Sequence, residues 1–596
     1  MKKILLPTLL LNIVAISLFG QVAAWRPKVS PEILATIDRG ETAEVLVVFH
    51  EQADLNGAKK LKTKSEKARF VYNCLVEAAA RSQATAVRIL KEKNAFANSL
   101  YLVNAIAVEK ADAILIRQLA ELQEVKWIGA DPWIQFPGPA ASTSSPTAER
   151  GAIEWGIQKI NAPAVWALGF TGQGITVGGA DTGVEWAHPA LQSHYRGWNN
   201  LAGTANHNYN WHDAIREYHP LNLDSMGNPY SPNPCGLDVS APCDDYFHGT
   251  HTVGTMVGDD GLGNQIGVAP GAQWVGCRNM EHAWGRPSSY LECCQWFLAP
   301  TDLSGQNADP DQAPHVINNS WYCATIEGCT DLTINDILRV AIVNLKASGV
   351  VVVVSNGNFG WQGCASTDDP PAYFEESFSI GATRIDDTIA YFSSRGPVEI
   401  DGSNRQKPNV VAPGDNVRSA VLNGGYFNYN GTSMAGPHVA GLVALMLSAR
   451  PDLAGQVEVI EQIIEETAVP LFDIVDCSIP GDGTPNNTYG YGRVNALAAV
   501  NAALEYEPVA APEAPSLTTS VFPNPVVEEV IFDVKNISGR TTLEIYSADG
   551  KLVFDKIWSA QRRELVPVSL KKQQAGVYFW KIRTEDGATS GRLVKE

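Results

Sequence analysis

The stretch Gly349-Val-Val-Val-Val-Val-Ser-Asn-Gly-Asn358 decides the architecture of this chain. A run of consecutive valines offers water no polar face. It reads as a strand buried on both sides, and such strands belong to parallel sheets covered by helices on each face. Working outward, the same texture returns at Ile175-Thr-Val177 and at Val316-Ile317, with polar turns and helical segments between. From about Gly151 to Leu504 the expectation is an α/β domain on a mainly parallel sheet with helices on both faces. Ligands gather at the carboxyl ends of such strands, so the turns that follow these runs are where chemistry is sought.

The flanks have a different texture. Residues 25 to about 136 suggest a compact α/β unit. It has strands at Glu44–Phe49, Leu102–Val108 and Val125–Ile128, one long helix and a second, shorter one. In the long helix Val71, Leu75, Ala78, Ser82, Ala86 and Ile89 recur at three- and four-residue steps, one buried stripe for the sheet to cover. The unit ends in Phe136-Pro-Gly-Pro-Ala-Ala-Ser-Thr-Ser-Ser-Pro146, a Pro/Ser-rich stretch that reads as a cleavable linker. A second, Pro/Ala/Glu-rich linker covers 505–516, and beyond it the period changes to two. Thr542–Ser547 and Lys551–Asp555 flank Asp549-Gly550, and Gly576–Arg583 precedes Asp586-Gly587. Residues 517–596 are therefore expected to form a small β-sandwich.

Met1–Ala24, with Lys2 and Lys3 before an apolar run and small residues closing it, reads as an export signal. No other segment approaches the apolar density of a membrane span on this reading. The chain has 596 residues, and 45 Lys and Arg against 64 Asp and Glu leave a net charge of -19. That balance repels phosphate backbones, so nucleic acid is not an expected partner. Export gives meaning to the 10 cysteines. Cys74 lies in the unit expected to be discarded, so at least one of the rest stays unpaired. Cys235 with Cys243, and Cys323 with Cys329, close short loops and are the preferred bridges. Pairing among Cys277, Cys293, Cys294, Cys364 and Cys477 is not legible. The spacings do not match a zinc site.

Three stretches of the central domain carry chemistry. Ile175-Thr-Val-Gly-Gly-Ala-Asp181-Thr-Gly183 ends a strand in an acid, and His248-Gly-Thr-His251 opens a small-residue helix with an imidazole. Asn430-Gly-Thr-Ser433-Met-Ala-Gly-Pro-His438 sets a serine at the head of an apolar helix. Each alone has a plain structural explanation, as a turn residue, a packed histidine or a helix cap. Together they supply what a serine nucleophile needs: an imidazole to take its proton and a carboxylate to fix that imidazole's tautomer. Spacing alone does not choose between His248 and His251, which share a helical face.

These motifs resemble those of the subtilisin-like serine proteases, in the same Asp, His, Ser order. Val316-Ile-Asn-Asn-Ser-Trp321 and Ile266-Gly-Val-Ala-Pro-Gly-Ala272 are similar to the bacillopeptidase F branch. The resemblance implies a secreted serine endopeptidase that works through an acyl-enzyme, with Asp181, His248 and Ser433 as triad and His248 as base. It implies Asn358 as oxyanion donor beside the Ser433 amide. It makes Asn319-Ser320-Trp321-Tyr322 the edge to which a peptide adds as a strand, with Asn356 and Gly357 in the pocket wall. Tyr322 stands where the family usually has Gly, and Asn356 where it usually has Ala, so the pocket is altered. The stretches 193–247 and 281–314 read as insertions near the site, either extra subsites or surface loops.

No cofactor is implied as required. Calcium commonly stabilises the family, and acidic pairs exist at Asp244-Asp245 and Asp259-Asp260, but Asp259–Ile266 is shorter than the usual calcium loop and no ligands are assigned. Residues 25–150 resemble the family's propeptide with its linker, an intramolecular inhibitor. Val521-Phe-Pro-Asn-Pro525, Ala575-Gly-Val-Tyr-Phe579 and Gly591-Arg-Leu-Val-Lys595 resemble the sorting domain of the Bacteroidetes type IX secretion system. The partners implied are peptide or protein substrates, the propeptide and the secretion machinery, for a monomer at the cell surface or in the medium.

Competing readings fare worse. An aspartic protease needs a second Asp-Ser/Thr-Gly, which the chain lacks. An α/β-hydrolase esterase places its nucleophile first. A protease fold degenerated into a surface binding protein is the non-enzymatic alternative, and the intact motifs speak against it.

Overall fold

The computed structural model describes residues 24–596 except 137, 139, 142–152, 225, 229–234, 324–328, 330, 473–476, 478–482, 508–517, 538, 560–561 and 585–587. The export-signal segment, most of both linkers and the Asp586-Gly587 turn thus lie outside the described residues. Two compact units divide the chain, Met1–Glu505 and Tyr506–Glu596.

The valine run forms the strand Val351–Ser355, buried at every position. It lies inside a seven-stranded sheet ordered Trp211–Asp213, Gln273–Arg278, Thr176–Asp181, Val316–Asn319, Val351–Ser355, Phe378–Thr383 and Val410–Pro413. All of its pairings are parallel. Helices cover both faces, as the glycines of the strand Thr176–Asp181 show. A Cβ on Gly178 would meet Phe297 at 2.7 Å, and one on Gly179 would meet Val253 at 2.8 Å. The helices Pro287–Leu298 and His248–Val257 therefore approach the same strand from opposite sides, closer than any side chain would allow. A third helix, Thr432–Ala449, is long and apolar enough to span a membrane, contrary to the reading that the N-terminus alone qualified. It is instead the core helix of the sheet, 89% buried.

Residues 25–136 form an antiparallel four-stranded sheet ordered Ala97–Leu100, Ala105–Ala111, Ala43–Phe49 and Val125–Ala130. Alternation along Ala43–Phe49 divides its side chains. Val45, Val47 and Phe49 join a core with Ile33, Leu90 and Leu115, while Leu46 and Val48 join the cluster of the large domain with Leu291, Ile334 and Leu338. The single long helix of the sequence reading is in fact two, Lys64–Ser82 and Ala84–Glu92. Ser82 Oγ folds back on the Ala78 carbonyl (2.9 Å), and Gln83 turns its side chain onto Asn104 and Ala105. These side-chain bonds mark the junction, while the Gln83 amide still donates to the Ala79 carbonyl (2.9 Å). The stripe divides accordingly: Val71 and Leu75 face the large domain, whereas Ala86 and the half-buried Ile89 pack on the small unit's own core beside Leu90.

Four disulfides are formed: Cys235–Cys243, Cys277–Cys293, Cys323–Cys329 and Cys364–Cys477. Cys74 and Cys294 stay free. Cys364–Cys477 closes by far the longest loop, with a sequence separation of 113. Chain entropy assigns such a loop about 4 to 5 kcal/mol, against about 2 kcal/mol for the short Cys323–Cys329 loop. Replacing Cys364 and Cys477 together by Ser should therefore lower unfolding free energy by roughly twice as much as the same change at Cys323 and Cys329, read by denaturant titration.

The C-terminal unit packs two antiparallel sheets face to face. One contains Thr518–Phe522, Glu529–Ile537 and Arg562–Ser569, and the other Leu552–Ser559, Arg540–Ser547, Gly576–Arg583 and Ala588–Lys595. Phe532 from the first meets Trp580 from the second edge to face at 5.6 Å, within one core. Asn524 of the Phe-Pro-Asn-Pro signature accepts the Val594 amide (2.8 Å) and donates to the Arg592 carbonyl (3.2 Å), which ties that motif to the last strand.

Candidate active site

Asp181 is the last residue of its strand and is almost wholly buried. Its Oδ1 accepts the Thr182 amide (2.8 Å) and the Nδ1–H of His248 (2.7 Å). A carboxylate only accepts, so the proton of this pair sits on Nδ1; in the neutral imidazole Nε2 then carries the lone pair. Helix His248–Val257 can begin this close to the strand end because residue 249 is Gly, where a Cβ would lie 2.0 Å from the Gly183 carbonyl.

The head of that helix has an organiser that the sequence reading passed over. Asp244 Oδ1 accepts Thr182 Oγ1 (2.9 Å), the Tyr246 amide (3.0 Å) and the Phe247 amide (2.9 Å). Its Oδ2 accepts the Thr250 amide (2.9 Å) and hydroxyl (2.6 Å). One buried carboxylate thus satisfies otherwise orphaned amides of the helix start and clamps the Asp181–Thr182 turn to it. Its signal was legible: an acid in the turn just before a helix.

The two histidines that spacing left open are separated by their partners. His251 is buried and donates Nε2–H to the carbonyls of Val417 and Phe427, both at 3.2 Å. Burial, reinforced by neighbouring His248, pulls its pKa down to about 3, so it is a neutral strut between helix and hairpin. His248 alone faces Asp181.

Ser433 lies in the first turn of Thr432–Ala449. Its hydroxyl donates to the Ser320 carbonyl (3.3 Å), and its own carbonyl accepts Ser320 Oγ–H (3.1 Å). That carbonyl is available because Pro437, four residues on, has no N–H to give it. His248 Nε2 is buried without a hydrogen-bond partner, so the structure joins Asp181 to His248 but holds the Ser433 hydroxyl on Ser320. Asn358 Oδ1 accepts both the amide and the hydroxyl of Thr432 (2.9 Å each). This orients its Nδ2, which would lie 3.7 Å from a Cβ on Gly431.

Asn319 ends the strand Val316–Asn319 and Ser320 follows it, both buried, with Ser320 bonded to Ser433. The Trp321 ring stacks on Tyr290 (4.0 Å, 8°), and the Tyr322 ring meets Phe359 (5.6 Å). Asn356 is turned inward, donating to Thr367 Oγ1 (2.9 Å) and the Ser394 carbonyl (2.7 Å). Gly357 has φ +100 with Ser394 Oγ 2.8 Å from where its Cβ would be, a place only glycine fills comfortably.

The cleft is occupied by the chain itself. Ile134 and Gln135 pair antiparallel with Gly285 and Trp284, and the Phe136 ring lies against His248 (4.6 Å) and Tyr322 (6.1 Å). The hairpin Met280–Gly285 that receives this strand was not legible: its turn residues His282 and Ala283 both have positive φ without the Asn-Gly chemistry that announces such turns. The strand Ile134–Gln135 thus runs up to the start of the predicted linker, whose first residue, Phe136, is buried. Ala140 and Ala141 pair with Asn430 and Tyr429 beyond it.

The acidic pairs face protein donors. Asp245 pairs with the buried Arg278 (3.2 Å), and Asp260 accepts from Leu262, Asn264 and Tyr426. Among the described residues no group of three His, Cys, Asp or Glu side chains is placed to hold a metal ion.

A parallel α/β sheet that carries an Asp–His pair and a helix-heading serine at its carboxyl edge has the layout of a serine protease. Residues 172–492 match the subtilase family model, over half of the chain, and this protein belongs to that family. Residues 520–596 match the secretion system C-terminal sorting domain, which marks an exported protein bound for the cell surface or the medium. Among relatives, bacillopeptidase F of Bacillus subtilis (strain 168) is 33% identical over 503 residues, covering 80% of this chain and 32% of its own. Subtilisin E of the same organism is 31% identical over 301 residues, 50% of this chain and 62% of its own. Subtilisin of Bacillus pumilus is 30% identical over 301 residues, with 86% of its length covered. The chain thus spans about a third of bacillopeptidase F.

Proposed function

We propose that this chain is a secreted serine endopeptidase that cuts proteins through an acyl-enzyme. The observation that carries the reading is the buried Asp181–His248 hydrogen bond (2.7 Å), which leaves His248 Nε2 without a partner. In the reaction Ser433 leaves Ser320, and its Oγ attacks the scissile carbonyl as His248 Nε2 takes the hydroxyl proton. Asp181 stabilises the imidazolium. Asn358 Nδ2–H and the Ser433 amide receive the oxyanion; one such donor is worth about 2.7 to 4 kcal/mol, a value measured in subtilisin, a relative. His248 then protonates the departing amine, and water, deprotonated by the same nitrogen, hydrolyses the ester.

Residues 25–150 act as propeptide and linker, 151–504 as catalytic domain, 505–516 as a second linker, and 517–596 as the address for type IX export after a signal at 1–24. Supporting the inhibitory role, Phe136 lies against His248, and the small unit bonds to the starts of two helices of the large domain, Pro287–Leu298 and Leu332–Ala347. Asp131 accepts the Ser288 amide (2.9 Å) and hydroxyl (2.5 Å), and Trp127 Nε1–H donates to Asp331 (2.8 Å).

The test is covalent labelling with a serine-directed fluorophosphonate once the chain has processed itself. Wild type should be labelled at Ser433, and Ser433→Ala should stay blank. Equal labelling of the two, or inhibition by pepstatin, rejects the mechanism.

A further inference from the structure

The segment Asp131–Phe136 displays how this cleft grips a polypeptide. Besides the Ile134 and Gln135 pairings, the Phe136 amide donates to the Ala283 carbonyl (2.7 Å), so the segment's register against the hairpin is set by its backbone. The Ile134 side chain is wholly buried, in the cluster that holds Tyr290, Leu291 and Trp321. One residue earlier the Trp133 ring enters a different place. The Arg286 guanidinium lies over it at 4.2 Å, and His219 meets it edge to face at 5.2 Å and 90°. His219 is itself stacked flat on Trp284, at 3.7 Å and 4°.

Large-domain partners hold these groups without help from Trp133, and Arg286 additionally lies 3.7 Å from Glu44 of the small unit. The His219 amide donates to Glu281 (3.0 Å), Arg286 pairs with Glu217 (2.5 Å), and the Arg286 amide donates to Ser289 Oγ (3.0 Å). Burial and the Arg286 charge pull the His219 pKa down to about 4, so a neutral imidazole sits beside the guanidinium without repulsion. Glu217, His219, Glu281, Trp284 and Arg286 belong to the two insertions, 193–247 and 281–314. The insertions thus build a preorganised aromatic and cationic slot one step beyond the buried Ile134 pocket.

Resting on the peptidase reading, we propose that His219, Trp284 and Arg286 form a substrate subsite for an aromatic side chain three residues ahead of the residue that packs on His248. Preferred substrates then carry the pattern aromatic, aliphatic, any, apolar, as Trp133-Ile-Gln-Phe136 does. The slot's face-on cation and edge-on imidazole favour a ring over an aliphatic chain of equal volume.

The experiment uses the full chain, brought to constant activity, and two quenched-fluorescent peptides that contain Asp-Pro-Trp-Ile-Gln-Phe or the same sequence with Trp replaced by Ala. The tryptophan peptide should show a kcat/KM about tenfold higher, mostly through KM. That ratio should fall below about twofold in Arg286→Gln and in His219→Ala. Equal rates in wild type, or an undiminished ratio in both variants, overturn the proposal. A second readout needs no cleavage: in the full-length Ser433→Ala chain, Trp133→Ala should speed hydrogen exchange at the Phe136 amide about tenfold. Unchanged exchange overturns the slot. Faster exchange in a chain whose wild type cuts neither peptide leaves the slot standing and faults the peptidase reading.

Discussion

His248→Ala should cut peptide substrates on the order of 10⁶-fold more slowly than wild type, whereas His251→Ala should keep the chemistry and lose stability. Removing the base alone has an effect of that size in subtilisin, because a serine hydroxyl without a proton acceptor is hardly a nucleophile. The contrast between two histidines one helical turn apart is the decisive part. His248 Nδ1 is bound to Asp181 and its Nε2 is free, while the Nε2 of His251 is committed to two backbone carbonyls. Steady-state hydrolysis, alongside denaturant unfolding to register the His251 strut, checks both halves. Comparable losses of kcat in the two variants would remove His248 from its role.

Asp181→Asn should lower kcat about 10⁴-fold with little change in KM and little change in structure. The carboxylate accepts from the Thr182 amide and from His248 Nδ1 through the same oxygen. An Asn that keeps the Thr182 bond through its carbonyl can still accept from His248. If it turns its amide toward the ring, it forces the proton onto Nε2, where no base is left. In either orientation the negative charge that stabilises the imidazolium is gone. The loss should therefore appear in the chemical step and be smallest at high pH, where hydroxide substitutes for the base. A variant within about tenfold of wild type would mean that His248 is oriented without Asp181.

How much was legible depended on whether a feature is local. The valine run, the glycine-punctuated strand ending at Asp181 and the period-two tail are local patterns, and their sheets follow from them. The two short-loop disulfides were legible because eight and six residues of separation leave few other partners. Cys364–Cys477 was not, since nothing in the intervening chain states that its ends meet. The break after Ser82 was hidden because helical periodicity continues through it; Asn104, which receives the Gln83 side chain there, is brought alongside only by the sheet. Asp244 carried a readable cap signal but no sign of how many groups it would serve.

The sequence by itself determined the class of sheet, the family and the identity of the groups able to react, because residue chemistry and short-range pattern are written in chain order. Only the tertiary structure decided what His251 bonds to, that Ser433 rests on Ser320, and that Phe136 with its neighbours lies in the cleft. The reason is physical: a hydrogen bond fails over a few tenths of an ångström and a few tens of degrees. Such tolerances are met by packing helices against a sheet, between residues that the chain order keeps far apart.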